Sequence, residues 1–395
     1  MDKPWIGPKI IIGNTATGSY YFHRPHIVTN IWEELEKGNN ALIAAPRRVG
    51  KSSVMVFMAN NCPDGYYCVF ENIQGIKSET EFYKRFYELI IKCLRPVQQS
   101  MAWLKKIWKE HKIEEISLSG SIKLKDTVVD YLHEIDMLLP KLNNSELKVV
   151  LFIDELPEVL HKLNKQGKTQ EAVSILKNLR RWRQEEQFNN LRLVLAGSIG
   201  IHYVVKSIEG RTTDINDFNP IQFEALTQEE AIVYLTWATD NNATVLYDKQ
   251  HAGYLLSKIQ YYVPYFINLM LDEINKRAKK NNNPIISKAD IDHAYETVVK
   301  STDHFKDWKS RLFEYMPKDE VNFVNEILIH IAHKDIINQQ KIHDIAVKHN
   351  KADERMDLID GLEKDGYITE QNENYMFQSP FLKTFWKRNN PIYHG

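Results

Sequence analysis

Cysteine is scarce in this chain of 395 residues. Only Cys62, Cys68 and Cys93 are present, and no two of them have the CxxC spacing of a zinc or redox motif. A chain of this length can bury enough apolar surface to fold without disulfides. We therefore expect three reduced cysteines in a cytoplasmic protein.

Long apolar runs and a charge excess are also missing. No apolar run reaches the roughly 18 residues of a membrane span, and the first residues contain no apolar signal core. We therefore expect neither secretion nor a transmembrane segment. The 51 Lys and Arg residues nearly balance the 52 Asp and Glu residues, so net charge gives no indication of a nucleic-acid partner.

The chain does contain a phosphate-binding loop between an apolar strand at 41–44 and a largely apolar helix from residue 53. In such loops backbone N–H groups bind phosphate oxygens, a lysine reaches the β- and γ-phosphates, and a hydroxyl binds Mg²⁺. The pattern has glycine where this chain has an alanine, and a left-handed backbone there would cost little. We expect ATP and Mg²⁺ to bind at Ala45, Pro46, Arg47, Arg48, Val49, Gly50, Lys51, Ser52 and Ser53.

Two further strands are predicted to end at the same site. The apolar run 147–153 is followed by Asp154 and Glu155, and the run 191–196 is followed shortly by Ser198. Next to a phosphate loop, Asp154 is expected to hold Mg²⁺ and Glu155 to polarise the attacking water. Ser198 either senses the γ-phosphate or positions water, or it is a simple turn residue, and the sequence leaves these alternatives open.

The order of elements predicts three parts. Residues 1–225 alternate strands and helices, as in a parallel sheet. An insertion at 113–124 fits a hairpin or a frayed helix equally well. Residues 226–305 read as a helical lid, with capping boxes at Thr227/Glu230 and Ser287/Asp290. Residues 306–395 read as a winged helix, with helices at 320–333, 338–348 and 353–364 before a strand pair. The fold class is thus α/β, a P-loop NTPase core followed by an α-helical lid and a winged-helix domain.

The charge of the winged helix argues against DNA binding. From residue 318 onwards it has ten Lys and Arg residues against thirteen Asp and Glu residues. Its third helix, which would enter a groove, carries Asp357, Asp360 and Glu363. We therefore expect this domain to regulate the ATPase or to contact protein.

Two other clusters have simpler explanations. His330 and His333 are spaced like metal ligands, but no third ligand lies nearby in sequence. Arg180, Arg181 and Arg183 fit a basic helix end, while a nucleic-acid or trans-acting patch remains open.

Nearly the whole chain resembles the additional-strand P-loop ATPases, in particular the prokaryotic ATPases allied to the signal-transduction ATPases and the Orc/Cdc6-like AAA+ proteins. The resemblance rests on the motifs Tyr21–Pro25, Pro46–Ser52, Phe152–Pro157, Gly197–Gly200, Phe223–Ala231 and Val263–Ile267.

The resemblance implies roles for three more residues. Arg24 matches the arginine that lies near the nucleotide, and Pro264 matches the lid proline that packs on the base. Arg211 matches the place of an arginine finger. A second-sensor arginine is not evident, and Tyr261 and Tyr262 stand where many relatives have glycine.

The sequence thus favours a slowly hydrolysing regulatory ATPase that binds ATP or ADP and contacts a protein partner or further copies of itself. A DNA-dependent loader or transposition-type ATPase is the alternative. A small-substrate kinase is a third and weaker hypothesis, because no acceptor-site motif stands out.

Overall fold

A computed structural model describes residues 4–95, 102, 115–116, 122–123, 129–144, 146–197, 200–210, 212–240 and 242–393. Their contacts divide the chain into two units. The sheet unit comprises His23–Ala44 and Lys51–Gln222, and the helical unit comprises Met1–Phe22, Ala45–Gly50 and Phe223–Gly395. The phosphate loop therefore groups with the helical unit, although the strand before it and the helix after it belong to the sheet unit.

A five-stranded parallel sheet forms the centre of the sheet unit, as expected. The strands are β1 (Asn40–Ala44), β2 (Tyr66–Asn72), β5 (Lys148–Asp154), β6 (Leu191–Gly197) and β7 (Phe218–Pro220). Their order in the sheet is β2-β5-β6-β1-β7. Strand β6 thus lies between β1, which precedes the phosphate loop, and β5, which ends in Asp154.

The helices of this unit cover a sheet whose central strands are apolar on both faces. Residues Val149–Ile153 are all 1 % exposed or less, as expected of a parallel strand packed on two sides. The helices are α1 (Pro25–Glu36), α2 (Lys51–Asn60), α3 (Glu79–Leu94), α4 (Tyr131–Asn144), α5 (Leu156–Lys165), α6 (Thr169–Gln184) and α7 (Ile201–Glu209).

The insertion contains a hairpin in its described residues. Strands β3 (Glu115–Ile116) and β4 (Ile122–Lys123) pair antiparallel, which decides between the two interpretations of 113–124.

The cysteine prediction was wrong for two of three residues. Cys62 and Cys68 form a disulfide, with their Cα atoms 6.1 Å apart. A turn closed by the hydrogen bond from Tyr66 N to Pro63 O brings them together at the start of β2. Cys93 is free and buried, and burial raises the pKa of its thiol. The cysteines therefore no longer argue for the cytoplasm.

Within residues 228–300 of the helical unit, the described residues form four helices. Both predicted capping boxes are present, because Thr227 and Ser287 each accept from the backbone N–H three residues on. The helices are α8 (Gln228–Thr239), α9 (Lys249–Ile259), α10 (Pro264–Lys280) and α11 (Lys288–Lys300).

The C-terminal segment, which we define as residues 306–393, combines helices with a small antiparallel sheet. Its elements are α12 (Lys306–Tyr315), α13 (Lys318–Lys334), β8 (Ile337–Asn338), α14 (Gln339–Lys348), α15 (Arg355–Lys364), β9 (Ile368–Gln371), β10 (Asn374–Phe377) and α16 (Pro380–Asn389). The strand order is β8-β10-β9. Buried aromatic side chains, including Phe323, Phe381 and Trp386, form the core of the segment.

Candidate functional site

The centre of the candidate site is a hydrogen bond between two residues about a hundred positions apart. Ser52 lies in the first turn of α2 and Asp154 ends β5, and the Ser52 hydroxyl donates to Asp154 Oδ2 at 2.5 Å. Asp154 is only 2 % exposed, and Lys51 beside Ser52 is 6 % exposed. The fold thus brings a hydroxyl and a carboxylate together, as the sequence predicted.

Burial sets the electrostatics of Asp154. Desolvation raises the pKa of its carboxyl group, while the hydrogen bond from Ser52 and the charge of Lys51 oppose that rise. A buried carboxylate is costly unless a cation or hydrogen bonds compensate it. The oxygens of Ser52 and Asp154 are the ligand type that Mg²⁺ prefers, and Mg²⁺ fills its other positions with water and phosphate oxygens. The residues present therefore fit this metal.

Glu155 follows in a conformation that non-glycine residues rarely adopt. Its φ and ψ are 63° and 30°, in the left-handed region. Its backbone N–H donates to Ala196 O at 2.9 Å and to Asp154 Oδ1 at 3.1 Å. These bonds hold a sharp turn between β5 and α5, and such strain is often found at functional sites.

Gly197 supports the same turn from the neighbouring strand. A Cβ atom built on Gly197 would lie 2.5 Å from Cγ and 2.8 Å from Cδ of Pro157. Only glycine allows this approach. Sequence reasoning treated Gly197 as part of a turn, because a contact across 40 residues leaves no local pattern.

The contacts of Pro46, Arg47 and Arg48 in the phosphate loop Ala45–Gly50 that follow are all with residues of the helical unit. The left-handed residues of the loop are Arg48, with φ 67°, and Gly50, with φ 105°, so the backbone strain considered for Ala45 falls on Arg48 instead. Arg48 Nη1 donates to Gly13 O at 2.9 Å, and its guanidinium lies 4.8 Å from the ring centre of Tyr265.

One carboxylate of the C-terminal segment reaches both loop arginines. Asp307 Oδ2 lies 3.4 Å from Arg47 Nη1 and 3.8 Å from Arg48 Nη2. At the start of the loop, a Cβ atom on Gly366 would lie 2.8 Å from Cβ and Cγ of Pro46. Sequence reasoning missed Asp307, Tyr265 and Gly366, since no motif links residues so far apart.

The remaining predicted residues are placed as follows. Arg24 precedes α1 and is 5 % exposed, Pro264 is the first residue of α10, and Ser53 is half-buried on α2. Ser198 and Arg211 lie outside the described residues.

The basic helix end proves to be a set of ion pairs. Arg180 pairs with Asp214 at 3.0 Å and Arg181 with Asp136 at 2.6 Å. Arg183 makes two bonds to Asp217, at 2.8 and 2.9 Å. These acids neutralise the three arginines, which disfavours the nucleic-acid patch.

The two histidines of α13 hold the C-terminal tail. His330 is hydrogen-bonded to the Tyr393 hydroxyl at 2.6 Å, and His333 donates to Asn390 O at 2.7 Å. Among the described residues, no cluster of three or more His, Cys, Asp or Glu side chains could hold a metal ion.

None of the helices described here has both the length and the apolar character needed to span a bilayer.

Solved structures of known proteins share the fold of this chain. A Walker-type ATPase of Pyrococcus abyssi superposes with a TM-score of 0.61 at 16% identity, over 94% of this chain and 98% of that one. The ORC2 protein of Aeropyrum pernix, in its ADPNP–ADP complexes, gives a TM-score of 0.51 at 10% identity, over 92% and 91%. No curated protein sequence matches. These similarities show the fold of a P-loop ATPase. The model of the AAA-like domain family matches residues 13–307, so the chain belongs to that family.

Proposed function

We propose that this protein is an ATP-binding, slowly hydrolysing ATPase whose nucleotide state is regulated by its helical unit. The observation that carries the proposal is the hydrogen bond between Ser52 and Asp154 beside the buried Lys51. A hydroxyl, a carboxylate and an ammonium group are the side-chain groups with which phosphate loops bind phosphate and Mg²⁺.

Each residue of the site has a distinct chemical task in this proposal. Lys51 neutralises the β- and γ-phosphates together with backbone N–H groups of the loop. Ser52 and Asp154 would hold Mg²⁺, which when bound supplies positive charge to the phosphates. Glu155 orients the attacking water and accepts its proton, and its backbone turn fixes the point from which the side chain extends.

Other residues support the nucleotide. We propose that the buried Arg24 adds positive charge near the phosphates and that Pro264 packs against the base. Ser198 would sense the γ-phosphate. Arg211 would act on the nucleotide of a neighbouring copy, which implies self-assembly. These four roles rest on the resemblance and on position along the chain.

We further propose that residues 226–305 are a lid and 306–395 a winged helix that contacts protein. The element order of α13, β8, α14, α15, β9 and β10 supports the winged helix. Asp357 and Asp360 on its third helix are exposed, which disfavours binding to a phosphate backbone. The DNA-dependent alternative is therefore not favoured.

Thermal unfolding with Mg²⁺ and ATP tests nucleotide binding. A ligand at a hundred times its Kd adds about 2.7 kcal/mol to the free energy of unfolding. Lys51→Ala should lose this shift, while Lys84→Ala, on an exposed helix face, should keep it. A wild-type protein that shows no shift with millimolar ATP, ADP or GTP would refute the nucleotide site.

Single-turnover hydrolysis tests the role of Glu155. Glu155→Gln keeps the size of the side chain but cannot accept a proton, so it should bind ATP and hydrolyse it about a hundredfold more slowly. Equal rates for the variant and the wild type would remove Glu155 from the mechanism.

A further inference from the structure

The phosphate loop is attached to the C-terminal segment by its two arginines. Asp307, near the start of α12, places one carboxylate oxygen within salt-bridge distance of Arg47 and Arg48. Arg48 is also held by Gly13 O and by the ring of Tyr265. Three separate stretches of the helical unit therefore converge on the middle of this loop.

A second contact fixes the start of the loop. Gly366 follows α15 with φ 77°, and its lack of a side chain lets the turn approach Pro46. The loop thus touches the segment at both Pro46 and the arginine pair. A shift of the segment must then change the surroundings of the loop.

The chemistry of the arginine pair explains what this attachment does. Guanidinium groups bind carboxylates and phosphates in the same geometry, so both anions compete for them. The Asp307 side chain is 57 % exposed, and those of Arg47 and Arg48 are 22 % and 27 % exposed. Ion pairs this accessible to water are weak, and a polyphosphate can displace them.

We propose that Asp307 is an internal anion that competes with nucleotide phosphate for Arg47 and Arg48, so that the C-terminal segment lowers the affinity of the loop for nucleotide. This regulation rests on the function proposed above. Because coupling between two sites is reciprocal, bound nucleotide also weakens the hold of the loop on α12.

Titration calorimetry of the full-length protein with Mg²⁺ and ATP tests the proposal. Asp307→Asn removes the charge but keeps the size, and should lower the Kd about three- to tenfold. Asp307→Glu keeps the charge and should stay within about twofold of the wild type. Asp303→Asn is the matched control, because Asp303 is an exposed carboxylate three residues before α12 that pairs with Lys306. The Kd of this variant should not change.

A double-variant background separates competition from a general charge effect. In Arg47→Gln/Arg48→Gln, Asp307→Asn should leave the Kd unchanged, since the groups for which the anions compete are gone. An unchanged or weaker affinity in Asp307→Asn, or the same gain in the double-variant background, would overturn the proposal. A wild type that binds no nucleotide would instead reject the proposed function itself, and this inference with it.

Discussion

Replacing Gly197 by alanine should disturb the turn that carries Glu155. The new Cβ would lie 2.5 Å from Pro157 Cγ, whereas ordinary contacts begin near 3.4 Å. The proline ring is rigid and sits in the first turn of α5, so this helix must move by about 0.9 Å. The hydrogen bond from Glu155 N to Ala196 O would then lengthen.

Two magnitudes follow from this displacement. Overpacking of a dense core costs about 1–3 kcal/mol of the free energy of unfolding. A shift of about 1 Å in a catalytic group can lower a rate about a hundredfold. We therefore expect Gly197→Ala to lower the free energy of unfolding by about 1–3 kcal/mol. It should also lower kcat about ten- to a hundredfold, with little change in the Kd for ATP.

Urea unfolding and steady-state hydrolysis measure both effects, and a second substitution isolates the cause. Pro157→Ala removes Cγ and Cδ and leaves Cβ, which lies at an ordinary 3.6 Å. The double variant should therefore recover most of the stability and rate lost in Gly197→Ala, a coupling of about 1–2 kcal/mol. Gly75→Ala, with open space around its new Cβ, is the control. If Gly197→Ala behaves like Gly75→Ala, or if Pro157→Ala restores nothing, the contact does not position Glu155.

Three further predictions concern titration, thiols and DNA. Burial raises the pKa of Asp154, so the native state binds its proton more tightly than the unfolded state. The free energy of unfolding of the wild type, relative to that of Asp154→Asn, should then fall as the pH rises from about 3.9 through the raised pKa. Urea titrations at several pH values measure this difference. Alkylation without reductant should label only Cys93, because Cys62 and Cys68 are paired in a disulfide. Since Cys93 is buried, it should react only after denaturation. Three labelled thiols would contradict the disulfide. The full chain should bind duplex DNA with a salt slope shallower than about −2, since the acidic residues of the C-terminal segment outnumber its basic residues and repel the phosphates. A steep slope with submicromolar affinity at physiological salt would favour the DNA-dependent alternative.

The sequence by itself determined the features that depend on neighbouring residues. The apolar run before Asp154 predicted a buried parallel strand, and Thr227 and Ser287 marked the starts of two helices. Capping and strand burial leave a local pattern, because the residues that make them lie within a few positions of each other. The pairing of Ser52 with Asp154 could also be inferred, since motif order in P-loop proteins places the ends of these elements together.

Only the tertiary structure decided the contacts between distant parts of the chain. Nothing near Arg47 in sequence indicates that Asp307 pairs with it, and nothing near Pro157 indicates that Gly197 must lack a side chain. The disulfide between Cys62 and Cys68 was missed for a related reason, because a turn rather than a motif spacing brings the sulfurs together. Such contacts depend on how whole elements pack against each other, and a local run of residues does not predict packing distances of a few ångströms.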